Sequence, residues 1–102
     1  MGNGVVIKNG QARRVDLKTG SDKGSVGFAN ARAAASDGDY IVIVYDNGQV
    51  RRYDANTGSD KGSVGFSNAV GCSVSGGIII INYTNGQARR YDAHTGSDKG
   101  SL

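Results

Sequence analysis

Three runs of apolar, mostly β-branched residues punctuate the chain: VVIK at residues 5–8, YIVIVYD at 40–46 and IIIINYT at 78–84. Each is followed by Asn-Gly and then by a half-polar run, QARRVD, QVRRYD or QARRYD. Continuous Ile/Val runs bounded by turn residues predict strands covered on both faces. Asn-Gly predicts a type I′ hairpin, because both residues tolerate the positive φ that this turn requires. LKTG, ANTG and AHTG predict the next turn, with Gly20, Gly58 and Gly96 in the left-handed region. KGSVGF, at residues 23–28 and 61–66, predicts a short third strand. ARAAAS at 31–36 and AVGCSVS at 69–75 predict a fourth, built of small residues. Helices are excluded: the apolar runs lack helical spacing, and Ile and Val are stiff there.

The same pattern returns at a fixed step. TGSDKGS begins at Thr19, Thr57 and Thr95, and the Asn-Gly pairs begin at Asn9, Asn47 and Asn85, all 38 residues apart. A period of this length marks a repeat architecture. Four short strands per roughly 40 residues, joined by tight turns, predict a β-propeller blade. The small-residue strand should be innermost, the apolar strand second, the Arg-Arg strand third and KGSVGF outermost. The expected fold is therefore all-β, with blades of four antiparallel strands. Residues 1–102 form a single repeat domain of about 2.7 copies. Aligned on the repeat, the part missing from a third copy corresponds to residues 27–38, which splits one blade between the chain ends. Propellers close with about 4–8 blades. A ring completed by homo-oligomerisation is expected, with a dimer of about six blades favoured over a trimer of about eight. TGSDKGSVGF is unchanged between its first two occurrences, so a recent or engineered origin is expected.

The segment DGDYIVIVYDNGQVRRYDANTGSDKGSV resembles the repeats of PQQ-type and NHL-type propellers. Those repeats likewise run from a turn into an apolar strand, an Asp/Asn-Gly turn, a strand ending in an aromatic or Leu before Asp, and a Thr-Gly turn. The resemblance covers almost the whole chain and implies propeller architecture. It implies no single activity, since such folds serve as enzymes, sensors and scaffolds. The outer-strand Trp of PQQ-type blades is missing; Gly24, Gly62 and Gly100 stand near its place. No quinone or other cofactor is expected.

Composition narrows the classes further. The chain has 17 Gly and no Pro, as short strands joined by tight turns would need. Its net charge of +3 comes largely from one Arg-Arg pair per repeat, not from a nucleic-acid patch. Cys72 is the single cysteine, so no disulfide framework forms within one chain. The N-terminal segment lacks the apolar core of a signal peptide. Gly2 invites a myristoylation reading, but position 6 is Val where that motif has Ser or Thr. No apolar run approaches membrane length. Neither nucleic acid nor membrane is an expected partner.

The arginine pairs carry the most interesting polar chemistry: Arg13 and Arg14, Arg51 and Arg52, Arg89 and Arg90. Adjacent strand residues point to opposite faces, so one pair cannot form a single clamp. The structural expectation is ion pairing, between blades, with Asp16, Asp54 and Asp92 or with Asp22, Asp60 and Asp98. The functional alternative is a ring of sites for carboxylate or phosphate. His94 occupies a turn position held elsewhere by Lys18 and Asn56, which marks exposed surface. Cys72 aligns with Ala34 and reads as a small buried residue. The turn carboxylates Asp16, Asp54 and Asp92 should accept hydrogen bonds from turn N–H groups and not bind calcium. Distinct catalytic groups do not converge, and no enzyme is expected. The sequence predicts a self-assembling scaffold, with a multivalent glycan-binding module as the alternative; carbohydrate or a small anion is the ligand class considered.

Overall fold

The computed structural model describes residues 3–102; Gly2, and with it the myristoylation reading, lies outside them. The described residues are β-strands, turns and bends. Eleven strands form three antiparallel sheets. The first holds β1 (Asn3–Lys8), β2 (Gln11–Asp16) and β3 (Asp22–Ser25). The second runs β4 (Ala31–Ser36), β5 (Tyr40–Tyr45), β6 (Val50–Asp54) and β7 (Asp60–Ser63). The third repeats it as β8 (Ala69–Ser75), β9 (Ile78–Tyr83), β10 (Ala88–Asp92) and β11 (Asp98–Ser101). Each strand pairs with the next in sequence, and β4 packs between β1 and β8. The small-residue strands β4 and β8 are therefore innermost, where close approach favours Ala and Gly.

Two apolar layers hold the sheets face to face. Ile41, Ile43, Tyr45 and Tyr53 of the second sheet pack on Val5, Ile7 and Ala12 of the first. Val42, Val44 and Val50, on the opposite face, pack on Ile79, Ile81, Tyr83 and Tyr91 of the third. Residues 41–44 are each fully buried, so β5 is covered on both faces as expected. β9 and β1 are not: Ile79 and Ile81 are buried, but Ile80 is half-buried and Val6 is 37% exposed. These strands belong to the two end sheets, each with one face uncovered.

The hairpins differ from the uniform expectation. Asn9 and Gly10 both have positive φ, 54° and 77°, and join paired Lys8 and Gln11 in a two-residue turn. That is the type I′ geometry. In the second copy only Gly48 is positive, at 86°. Its N–H donates to the Tyr45 carbonyl at 2.8 Å, and Tyr45 pairs with Gln49 across a three-residue loop. The third copy repeats this with Gly86 and Tyr83. The shorter first turn has a large effect. Val5 pairs with Arg14 where Val42 pairs with Arg52, so β1 is displaced by one residue from the 38-residue alignment. A one-residue shift exchanges the faces of a strand. Val5 and Ile7 thus face the second sheet, and Val6 points away.

The outer strands are shorter than KGSVGF. They span Asp-Lys-Gly-Ser, and Val-Gly-Phe leaves the ladder. Val26 is drawn inward to 2% exposure, while Gly27 passes directly over the Tyr45–Tyr53 pair.

Candidate functional site

Each arginine pair divides its labour by face. In the outer ladder the register slips between Arg14 and Val15, leaving Lys23 as the extra residue of a bulge. Asp22 clamps that bulge, accepting the Gly24 N–H at 2.7 Å on one oxygen and Arg13 Nε at 2.6 Å on the other. Arg51–Asp60 and Arg89–Asp98 repeat the ion pair, each at 2.9 Å. The Arg13 guanidinium, with the Gly24 N–H, holds the Asp22 carboxyl below its usual pKa. These pairs join neighbouring strands of one sheet and do not cross between sheets.

The second arginine of each pair crosses instead, and it meets carbonyls. Arg14 donates to Asn56 O at 2.8 Å in the next sheet and to Lys23 O at 2.9 Å in its own. Arg52 donates to Ala93 O and His94 O, both at 3.0 Å, and to Lys61 O at 2.7 Å. Its guanidinium lies on Gly96, where an added Cβ would meet Nε at 3.1 Å; Arg14 covers Gly58 in the same way at 3.2 Å. Nε of both arginines is buried without an acceptor. Arg90 keeps only the contact within its sheet, to Lys99 O at 2.9 Å, and its Nη1 has no partner among the described residues.

The turns behave as their residues dictate. Asp16 Oδ1 accepts the Lys18 and Thr19 N–H groups at 2.8 and 3.1 Å, and Asp54 and Asp92 do the same in their copies. Those N–H donors lower the pKa of all three carboxyls. Among the described residues no three His, Cys, Asp or Glu side chains gather as a metal site. His94 is exposed, with Nδ1 2.5 Å from the Tyr40 hydroxyl of the second sheet. Cys72 takes the place of Ala34 and lies half-buried against the Val42 carbonyl; burial pushes its thiol up to about 11.

A second constellation was not read from the sequence. The Tyr45 and Tyr53 hydroxyls meet at 2.6 Å inside the core, and the Phe28 N–H donates to Tyr45 at 3.0 Å. Burial, then this mutual hydrogen bond, raises the Tyr53 pKa far above its ordinary value. Phe28 itself stays 61% exposed, with Arg51 5.9 Å over its ring. Beside it lies a cavity of about 360 Å³, walled by Phe28, Asn30, Tyr45, Asp46, Gln49 and Arg51, among others. Phe66, Tyr83 and Tyr91 rebuild the aromatic part in the next copy. The available signal was a large aromatic followed by a polar loop, recurring as Phe-Ala-Asn and Phe-Ser-Asn.

No protein-family model and no curated protein sequence matches the chain. Solved structures do match in shape. BamB from Moraxella catarrhalis superposes with a TM-score of 0.78 at 18% identity, over 99% of this chain and 33% of that one. The computationally designed protein Ika8 gives 0.76 at 18% identity, over 98% and 34%. Sqt1 from Saccharomyces cerevisiae gives 0.73 at 13% identity, over 91% and 27%. All three have propeller-type folds, so the fold here is that of a β-propeller, and each sheet is a blade. The chain spans about a third of the length of the first two.

Proposed function

We propose that the chain is a structural repeat scaffold that joins head to tail with further copies of itself to close a β-propeller. One observation carries this reading. Arg14 and Arg52 each reach from their own blade onto the Thr-Gly turn of the next, whereas Arg90, in the last blade, bonds only within its own sheet among the described residues. At the opposite end, the turn of Lys18–Gly20 has no arginine on it: nothing lies within 4 Å of where a Gly20 Cβ would stand. The unmatched donor and the unmatched acceptor are the two halves of the contact made twice inside the chain.

The end faces are also matched in size and polarity. At the junction of the second and third blades, Val50 and Ala93 share one core cluster, as do Val44 and Tyr83. At the chain ends the corresponding pairs are Ala88 with Leu17, smaller against larger, and Asn82 with Lys8, both polar. Leu17 is 65% exposed in a lone chain. Two copies bring six blades, within the usual range of about 4–8. Three copies equal the neighbours in residues but bring nine blades. On this reading the protein is a structural scaffold and not an enzyme, since its polar groups recur copy by copy.

Light scattering after size exclusion tests the proposal. A discrete species of twice the 10.5 kDa chain mass is expected. Arg90→Ala should shift it to the monomer with the β-sheet circular dichroism retained, while a charge-preserving Arg90→Lys should weaken it less. A folded wild-type monomer at micromolar concentration overturns the reading.

A further inference from the structure

We infer that the cavity beside Phe28 is a binding site for a neutral pyranoside, a function separate from closure of the ring. Its volume of about 360 Å³ lies within the range of small-molecule sites, about 300–1,000 Å³. Unspent hydrogen-bonding capacity surrounds the exposed ring of Phe28. The side chains of Asn30, Asp46 and Gln49 all line the cavity, and none of them bonds to another described residue. Together they offer carboxylate and amide acceptors and amide donors. A sugar ring presents the complement: hydroxyls that both donate and accept, and an apolar C–H face for an aromatic ring.

The aromatic wall is preorganised. The Phe28 N–H is tied to Tyr45, whose hydroxyl is tied to Tyr53, and an added Cβ at Gly27 would come within 2.9 Å of the Tyr53 hydroxyl. Arg51 lies over the ring while its own charge is spent on Asp60 at 2.9 Å. An anionic ligand would have to compete with that carboxylate and would meet Asp46 at the rim, which favours a neutral one. The following copy differs at the same place. Thr84 replaces Asp46, and it accepts a bond from Asn68 Nδ2 at 3.3 Å, so polar groups that are free beside Phe28 satisfy one another beside Phe66. The first site is therefore the stronger of the two.

The probes are the methyl glycosides of glucose, galactose and N-acetylglucosamine, titrated into the 15N-labelled chain. At least one should give saturating shifts at the amides of Phe28, Asn30, Asp46 and Gln49. Phe28→Ala should weaken that binding by about tenfold or more, with the circular dichroism spectrum unchanged, and Asp46→Ala should weaken it as well. Phe66→Ala should leave it intact. Absence of saturation with all three glycosides, or equal binding by Phe28→Ala, overturns the inference. Either result leaves the oligomer mass, and the scaffold reading it tests, untouched.

Discussion

The second and third blades are nearly the same sequence folded into the same four strands, yet they stand in different surroundings. In β5, Val42 and Val44 are fully buried; at the matching places of β9, Ile80 is half-buried and Asn82 is exposed. Arg52 is 7% exposed and bonded across the junction, whereas Arg90 is exposed and bonded only within its sheet. Ile80 is more apolar than the valine it replaces, so composition does not explain its exposure. Burial here is conferred by the next blade in the stack, as in other repeat folds whose energetics are dominated by nearest neighbours.

A carboxylate placed at equivalent depth should separate the two blades most sharply. Val42→Asp puts an unpaired charge into the closed junction with the third blade and should cost more than about 3 kcal/mol, enough to abolish folding. Ile80→Asp should leave the single chain folded and instead block its assembly. Thermal unfolding followed by circular dichroism, beside a mass measurement, reads both; equal loss of fold in the two variants would erase the distinction. Glycines of matched geometry make a finer comparison. Gly48 and Gly86 have φ of 86° and 85°, but a Cβ on Gly48 would press on the Ser67 carbonyl, and one on Gly86 meets nothing. Gly86→Ala should cost about 1 kcal/mol of backbone strain and Gly48→Ala about 2–3 kcal/mol, read from urea midpoints.

Acid should produce the smallest effect and spare neither blade. Asp54 and Asp92 are lowered first by turn N–H donation, and Asp98 first by the Gly100 N–H. A carboxyl whose pKa is lower folded than unfolded stabilises the protein above its unfolded value, about 3.9. That contribution disappears as pH falls through the folded value. The melting temperature should be level from pH 7 to about 5 and decline below about 4, in parallel for wild type and Gly86→Ala. A decline beginning near pH 6 would contradict this.

Much of this was legible in the chain. The apolar runs, the Asn-Gly pairs and the 38-residue step locate the strands to within a few residues, because hydrophobic runs and turn chemistry act locally. The register of β1 was not legible. Counting by 38 pairs Val5 with Ile43, but the two-residue turn at Asn9–Gly10 is one residue shorter than its relatives and moves Val5 opposite Arg14. The arginines were legible as paired groups, though not their division between an aspartate in the same sheet and carbonyls in the next. That division depends on which side of a strand faces the following blade. The cavity escaped because Phe28 was counted into a strand, while its backbone is turned out of the ladder by the tyrosine hydroxyls.

The short hairpin of the first blade also bears on how such chains change over time. Shortening a turn by one residue changes none of the strand's own side chains, yet it transposes the inner and outer surfaces of the strand before it. A duplicated unit can in this way acquire a different exterior in one genetic event, without passing through a series of substitutions in its interior. Insertions and deletions in hairpins are then a means of giving individuality to the end members of an otherwise uniform array.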